Sequence, residues 1–257
     1  MEGPDRRALW NANAPVWTEL SRAGFDVYRD LVNTPAFLAL LPPVEGLRCL
    51  DLGCGEGHNT RLLAARGADV TGLDIAEAFI EAAAREGGPG VRYLVGDGCS
   101  LPFPAATFDL VTAFMSLMDA GDPEGILHEV SRVLRPGGTV QFSIGHPTST
   151  TPVRHWVDDG AGRRHALAIG DYFYEGIQTE TWIFGAAPPE VRGGHRPFTI
   201  TYARRTLAGW LNAVAGAGLS IDAVAEPHAD EDTATRHPEV ADTRIAPYFL
   251  IVRARRL

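Results

Sequence analysis

The chain has 257 residues, 45% of them hydrophobic, and a formal net charge of −9 at pH 7. A chain of this length and composition can bury the core of one domain that carries an inserted lid. Nucleic acids and anionic membranes bind basic surfaces, so the acidic balance argues against both as main partners and favours a small molecule.

The three cysteines, Cys49, Cys54 and Cys99, are too few for a disulfide framework and are typical of a reduced protein. No N-terminal apolar run resembles a signal peptide, and no stretch approaches the roughly 20 apolar residues that a bilayer span needs. We therefore expect a cytoplasmic protein without a membrane partner, either a monomer or a homodimer.

Residues 1–46 contain several aromatic residues among prolines at positions 15, 35, 42 and 43. Proline interrupts the interior of a helix, so we predict two or three short helices broken at these prolines, and no strand. The simplest interpretation of the aromatic side chains is that they pack these helices onto the rest of the fold.

From residue 47 onward, apolar runs alternate with helical patterns. We predict strands at 47–52, 68–73, 91–95, 108–114 and 138–145, and helices at 58–66, 76–86 and 123–134. This alternation is typical of an α/β fold, a doubly wound and mostly parallel sheet with helices on both faces. Right-handed crossovers would bring the carboxyl ends of the strands to one edge. Side chains that follow the strands should therefore meet there.

The first strand ends at Asp51 and runs into a turn with glycines at positions 53, 55 and 57. Glycines at alternate positions allow a sharp turn with amide hydrogens facing inward, next to a helix that begins near His58. The second strand ends at Asp74, whose carboxylate can accept hydrogen bonds from both hydroxyls of a ribose. The third ends at Asp97. Each aspartate also has a purely structural interpretation, as the N-cap of the next helix.

These residues fall into five motifs in order: DLGCGEG, GLDI, GDG, FDLV and LRPGG, between Leu47 and Gly145. Together they resemble the class I S-adenosylmethionine-dependent methyltransferases. The resemblance implies a Rossmann-like seven-stranded sheet whose last strand is antiparallel. It also divides the chain into an N-terminal helical cap (1–46), a cofactor-binding core (47–145), an acceptor-side lid (146–205) and a C-terminal helix and strands (206–257).

The resemblance implies S-adenosylmethionine as cofactor and S-adenosylhomocysteine as product. In it, Gly53 and Gly55 face the methionine part, Asp51 orders the ammonium and Asp74 grips the ribose. The remaining cofactor contacts fall on the adenine and beside the sulfonium: Ile75, Asp97, Gly98 and Cys99 at the adenine, and Phe114 at the sulfonium.

The lid breaks the alternation and is too long for a structureless loop, so we expect a few antiparallel strands in it. Its aromatic residues would suit a planar or prenyl acceptor, whereas its arginines would suit an anionic or diphosphate-bearing one. The residues predicted to bind the acceptor are Trp10, Met115, Tyr172, Tyr174, Trp182, His195 and Arg204. Beyond the lid we predict a helix at 206–217 and strands at 219–225 and 248–253. Residues 228–243 are expected to form an exposed loop.

Methyl transfer from a sulfonium requires alignment of the acceptor and exclusion of water, and an oxygen or carbon acceptor also requires a base. His146, which follows the fifth strand, is the first candidate base, with a structural role in the turn before Pro147 as the alternative. Glu175 in the lid is the second candidate. The histidines show no paired spacing with cysteine or carboxylate, so no metal site is predicted.

Oxygen, nitrogen and carbon methylation all stay open, and we expect a small bacterial metabolite from a specialised biosynthetic pathway as the acceptor. One alternative is a nicotinamide-dependent oxidoreductase, but its G-x-G-x-x-G fingerprint needs glycine where His58 stands. A second alternative is a methyltransferase-fold protein repurposed for binding or for a cyclisation.

Overall fold

The structure is a computed structural model that describes residues 5–257, so the first four residues of the predicted cap lie outside the described part. The helices are α1 (Arg6–Arg22), a π-helix (Arg29–Asn33), α2 (Thr34–Leu40), α3 (His58–Ala64), α4 (Glu77–Glu86), α5 (Pro123–Val133), α6 (Pro189–Gly193), α7 (Leu207–Gly216) and α8 (Glu231–Arg236), with 3-10 turns at Leu117–Asp119 and Pro238–Arg244. The strands are β1 (Arg48–Leu52), β2 (Asp69–Asp74), β3 (Val91–Val95), β4 (Phe108–Phe114), β5 (Leu134–Gly145), β6 (Val153–Asp158), β7 (Arg164–Gly170), β8 (Gly176–Trp182), β9 (Phe198–Arg204), β10 (Leu219–Ala225) and β11 (Phe249–Arg256).

Seven strands form one sheet in the order β10-β11-β5-β4-β1-β2-β3. Strands β1 to β5 pair in parallel, and β11 runs antiparallel to both β5 and β10. The apolar residues of the central strands are fully buried, as Leu50 and Leu110 show, because helices cover both faces. The predicted fold is confirmed, including the antiparallel last strand.

The LRPGG motif does not end in a separate turn. Helix α5 ends at Val133, and β5 begins at once with Leu134, which pairs with Phe108. The next pair is Thr139 with Leu110, so the residues between bulge out of the sheet. The proline and glycines therefore accommodate this bulge, whereas we predicted that they would separate a helix from a strand beginning at 138.

Helix α1 runs without a break through Pro15, contrary to the prediction that this proline would interrupt it. A proline inside a helix costs about 3 kcal/mol. Burial of the apolar face of the helix offsets that cost. Ala14 and Leu20 on this face are each 1% exposed, while Pro15 itself faces outward. The prolines at 42 and 43 do lie beyond a helix end, at Leu40.

The lid contains two antiparallel hairpins, β6–β7 and β8–β9, which confirms the predicted antiparallel strands. Helix α1 joins the second hairpin to the core. The Asn13 amide donates to the Thr199 carbonyl (2.8 Å) and accepts from the Thr199 N–H (3.3 Å), while the Ala78 N–H at the start of α4 donates to Asn11 Oδ1 (2.9 Å). Helix α1 thus spans the space between the sheet edge and the lid.

Residues 228–243 are not an exposed loop. They contain α8 and most of a 3-10 turn, and Val240, Asp242 and Thr243 are buried. The prediction was wrong because it rested on the acidic composition of the segment, whereas several of its residues are buried and their polar groups are hydrogen-bonded. Among residues 5–257, every helix is too short or too polar to cross a bilayer.

Candidate functional site

A cavity of about 870 Å³ lies where the ends of β1, β2 and β4 meet, under α1 and the β8–β9 hairpin. Its size lies within the range of small-molecule sites. All nine residues predicted to bind the cofactor line it, and so do three of those predicted to bind the acceptor: Asp51, Gly53, Gly55, Asp74, Ile75, Asp97, Gly98, Cys99 and Phe114, with Trp10, Met115 and Trp182. The convergence of strand ends deduced from the alternation is therefore present.

Asp51 is held rigidly at the end of β1. Its Oδ1 accepts from Thr112 Oγ1 (2.9 Å) and its Oδ2 from Thr60 Oγ1 (2.6 Å), and the residue is 1% exposed. Burial raises the pKa of this carboxyl, and the two hydroxyls act in the opposite direction. A cationic group of a ligand would favour the charged form of this carboxylate.

Asp74 closes the glycine turn and faces the cavity. Its Oδ2 accepts from the Gly55 N–H (2.9 Å) and its Oδ1 from the Ala76 N–H (2.8 Å). Each carboxylate oxygen keeps lone-pair capacity for a ligand hydroxyl. Burial raises the pKa of Asp74 to about 6.

The amide hydrogens of the glycine turn, predicted to face inward, are in part used in hydrogen bonds inside the protein. The N–H groups of Gly53 and Cys54 both donate to the Leu73 carbonyl (2.7 and 3.1 Å). Glycine is needed for space, because a Cβ on Gly53 would lie 2.3 Å from Ser116 Cβ. A Cβ on Gly55 would meet no atom within 4 Å. The turn thus gives a ligand room beside its backbone.

The floor of the cavity carries a strained residue. Met115 has φ +54°, a conformation that costs a non-glycine residue roughly 1–3 kcal/mol and that concentrates at functional sites. The Met115 N–H donates to the Ser143 carbonyl (2.9 Å), and Ser116 Oγ donates to the Leu52 carbonyl (2.6 Å). These bonds hold β4, β5 and β1 together directly beneath the cavity.

Four buried polar atoms of cavity-lining residues have no hydrogen-bond partner among residues 5–257: Arg6 Nε, Asn33 Oδ1, Asn59 Oδ1 and Asp119 Oδ1. Buried polar groups are nearly always paired, so these atoms indicate a polar ligand. Burial also raises the pKa of Asp119 well above its ordinary value. A nucleoside attached to an amino acid, with its hydroxyl, amino and ring-nitrogen groups, fits a cavity of this kind.

Above the cavity lies an aromatic group that sequence reasoning identified only in part. We call Trp17, Trp182 and Phe184 the aromatic roof; all three line the cavity. The Trp17 ring lies 5.4 Å from Trp182 and 5.1 Å from Phe184, in edge-to-face geometry. Trp10 and Trp17 are seven residues apart on one helix, so they share a face, and this spacing was the available signal.

A second group, centred on Asp242, had no sequence signal. The Tyr28 hydroxyl donates to Asp242 Oδ1 (3.0 Å) and the Tyr248 hydroxyl to Oδ2 (2.8 Å), while Arg164 of the lid forms an ion pair with the same carboxylate. Both tyrosines line the cavity, with their rings stacked 5.0 Å apart. Burial, together with the adjacent Asp242, raises the pKa of Tyr28 to about 12.

Neither predicted base lies among the residues that line the cavity. His146 is 3% exposed, with Nε2 2.9 Å from Glu226 Oε1 and Nδ1 2.7 Å from Thr148 Oγ1, and burial lowers its pKa. Glu175 Oε1 accepts from the N–H and hydroxyl of Thr206, where α7 begins. Both side chains therefore make structural contacts in this structure.

Four predicted acceptor-binding residues are also absent from the cavity lining. Arg204 is buried and donates to the carbonyls of Tyr172 (3.1 Å) and Arg205 (2.6 Å), and the Tyr172 hydroxyl accepts from the Leu207 N–H (3.0 Å). Tyr174 is 46% exposed. His195 lies 3.6 Å from Glu19. Within residues 5–257 no group of three or more His, Cys, Asp and Glu side chains is arranged to hold a metal ion.

Comparison with known proteins agrees with this architecture. The profile of a family described as a methyltransferase domain matches residues 50–142. The crystal structure of an S-adenosylmethionine-dependent methyltransferase from Mesorhizobium loti is 33% identical, with a TM-score of 0.73 over 86% of this chain and 96% of that one. A malonyl-[acyl-carrier protein] O-methyltransferase of Salmonella typhimurium is 36% identical in an alignment of 194 positions that covers 67% of this chain and 77% of that protein.

The match to a demethylmenaquinone methyltransferase of Clavibacter sepedonicus is shorter, 39% identical over 100 residues, and spans 41% of that protein. The chain belongs to the S-adenosylmethionine-dependent methyltransferase family. It is an enzyme of that class, as the five motifs indicated. This finding argues against the alternative of a nicotinamide-dependent oxidoreductase.

Proposed function

We propose that this protein transfers the methyl group of S-adenosylmethionine to a small-molecule acceptor bound under the lid, by oxygen, nitrogen or carbon methylation. The single observation that carries the proposal is the meeting of Asp51, Asp74 and Asp97 in one cavity roofed by aromatic residues. The named relatives, which act on malonyl-acyl-carrier protein and demethylmenaquinone, support a metabolic acceptor. A role in specialised metabolism, a cytoplasmic location and a monomeric or homodimeric state stay predictions.

The cofactor would lie along the sheet edge. We assign its ammonium to Asp51, its ribose to Asp74, and its adenine to Ile75, Asp97 and the backbone after Asp97. When bound, the cofactor supplies an activated methyl group on a sulfonium. The buried carboxylates would stabilise that positive charge, and Phe114 and Met115 would lie beside it.

The protein's contribution is alignment and exclusion of water. The strained backbone at Met115 fixes the floor, and the aromatic roof covers the cavity from above. If the acceptor is a hydroxyl, its proton needs a base inside the cavity. His58 lines the cavity, and burial beside Arg29 lowers its pKa, so its neutral imidazole can accept that proton. We therefore propose His58 for this role in place of His146.

Calorimetry with S-adenosylhomocysteine tests the proposal. Wild-type protein should bind it, and Asp74→Ala should bind it at least tenfold more weakly while keeping the wild-type circular dichroism spectrum. Equal affinity in the variant would remove Asp74 from the site. Binding of NADH without binding of S-adenosylhomocysteine would contradict the proposed function as a whole.

A further inference from the structure

We infer that the acceptor is an uncharged, apolar molecule with a flat ring system, held between the aromatic roof and the floor residues Met115 and Met118. The inference rests on the proposed function and specifies its substrate class. The observations that carry it are the chemistry of the cavity walls and the positions of all the arginines that could bind an anion.

The two ends of the cavity differ in chemistry. The end assigned to the nucleoside carries Asp74 and Asp97. The other end carries the aromatic roof, Met118 and the ring of Phe25, all of which line the cavity and pack in one apolar cluster. Aromatic and thioether surfaces of this kind bind flat apolar rings well, by edge-to-face contact and dispersion.

Among residues 5–257, Arg6 is the one cavity-lining arginine without a carboxylate partner, and it does not lie under the aromatic roof. Three arginines line it, against eight carboxylates: Asp5, Asp26, Asp51, Glu56, Asp74, Asp97, Asp119 and Asp122. Arg29 is bound to Asp30 (2.7 Å) and lies 3.7 Å from Asp26, and Arg7 lies 3.5 Å from Glu77. Arg6 lies at the nucleoside end, where its charge acts on Asp119. An anion placed under the roof would therefore be buried without a free partner.

Four of the arginines that suggested an anionic acceptor form ion pairs outside the cavity. Arg154 is bound to Glu180 and Arg163 to Asp159 (both 2.9 Å), while Arg164 and Arg205 form ion pairs with Asp242 and Glu124. None of these arginines is among the residues that line the cavity. Arg192, Arg196 and Arg204 of the lid are also absent from the cavity lining, so the lid contributes aromatic surface to the cavity and no positive charge.

The loop after the roof forms one lip of the cavity. Gly185 and Ala186 line the cavity and are also exposed to solvent. A Cβ on Gly185 would meet no atom within 4 Å, so a larger side chain fits there without displacing the protein. Because a larger side chain would stand at this lip beside the roof, we expect it to obstruct the entry of a ring.

Three probes with one ring system separate charge from shape: 2-naphthol, 2-naphthyl phosphate and 2-naphthylmethylamine. Their binding is measured by calorimetry to protein saturated with S-adenosylhomocysteine. We expect 2-naphthol to bind at least tenfold more tightly than either charged probe. Equal or tighter binding of the phosphate or of the amine overturns the inference. So does the absence of 2-naphthol binding up to about 1 mM, a Kd that corresponds to a binding free energy of about −4 kcal/mol.

The variant Gly185→Leu tests the position. We expect it to weaken 2-naphthol binding at least tenfold more than it weakens S-adenosylhomocysteine binding. The matched control is Gly160→Leu, at another exposed glycine with no atom within 4 Å of its added Cβ and outside the cavity lining; it should leave both affinities unchanged. If both variants weaken 2-naphthol equally, Gly185 is not at the entrance. Failure of the wild type to bind S-adenosylhomocysteine would instead contradict the proposed function.

Discussion

The two halves of the cavity are built in different ways. At the sheet edge each carboxylate is fixed by groups from its own or a neighbouring strand end, as Asp74 is by the Gly55 and Ala76 amides. The aromatic roof is assembled from Trp17 of α1 and from Trp182 and Phe184 of the lid, which are more than 160 residues further along the chain. One half is specified by short motifs and the other by tertiary contacts.

This difference predicts that the two halves of the cavity respond differently to substitution. The hydrogen bonds of the sheet edge depend on glycines and aspartates at fixed spacing, so a single change there disrupts the site. The roof depends on apolar area, which many side chains supply. We therefore expect substitutions at the sheet edge to have large effects on cofactor binding, and substitutions in the lid to act on the acceptor.

The largest expected effect comes from Gly53→Val. Its Cβ would approach Ser116 Cβ to 2.3 Å at a φ of +68°, so the turn must move. We expect S-adenosylhomocysteine affinity to fall by about a hundredfold or more, equivalent to about 3 kcal/mol, in a binding titration. Gly46→Val is the control: φ is +74° but no atom lies within 4 Å of its Cβ, so it shares the backbone strain without the clash. Similar affinities of the two variants would contradict the explanation.

Asp242→Ala tests the wall on the lid side. It removes the acceptor of two half-buried phenols and the partner of Arg164, so we expect a loss of about 3 kcal/mol in the free energy of unfolding by urea. Asp222 is the control, a more exposed carboxylate bound to Arg253 and Arg255. Its replacement by alanine should cost about 1 kcal/mol or less. Equal losses would mean that Asp242 is only another surface pair.

Asp74→Asn tests pH dependence at the sheet edge. A ribose donates to the carboxylate form, so with the pKa of Asp74 at about 6, S-adenosylhomocysteine affinity should fall as the pH drops through 6. The variant should bind about 30-fold more weakly at pH 8, a loss of about 2 kcal/mol, and show a flatter profile. The free energy of unfolding depends on pH in the opposite direction. Because the pKa of Asp74 is raised by folding, this group contributes stability below about pH 4, and the contribution is lost as the pH rises through 6.

His146→Gln should have the smallest effect. The side chain lies outside the cavity lining, so S-adenosylhomocysteine affinity should stay within about twofold while stability falls by about 1 kcal/mol through loss of the Glu226 and Thr148 contacts. Because burial lowers the pKa of His146, the unfolded chain binds the extra proton first, and stability falls as the pH drops below about 6.5. The variant should lose part of that slope. A tenfold loss of cofactor affinity would return His146 to the site.

The sequence allowed the parallel strands and the meeting of their carboxyl ends to be predicted, because period, spacing and strand ends are local properties of the chain, and the family resemblance added the antiparallel last strand. Asp51, Asp74 and Asp97 could be placed together without coordinates, since parallel strands share one edge. The internal hydrogen bonds of the Gly53 and Cys54 amides could not be predicted, because they depend on how close the Leu73 carbonyl comes to the turn.

The lid side could not be predicted in the same way. Tyr172, Tyr174 and Arg204 have the right chemistry for an acceptor site, but the hairpins turn them away from the cavity lining. Tyr28, Asp242 and Tyr248 come from three distant segments whose meeting no spacing reveals. Composition shows that a lid is aromatic, and only the path of the chain shows which of its rings face inward.

The internal bonds of the glycine turn have a thermodynamic consequence. Because the Gly53, Cys54 and Gly55 amides are satisfied by Leu73 and Asp74 before any ligand arrives, the loop loses little conformational entropy on association. The turn should therefore keep its conformation when the nucleoside binds, and it should contribute little to the heat-capacity change of binding. A larger negative heat-capacity change should appear only when the acceptor binds and buries Trp17 and Trp182.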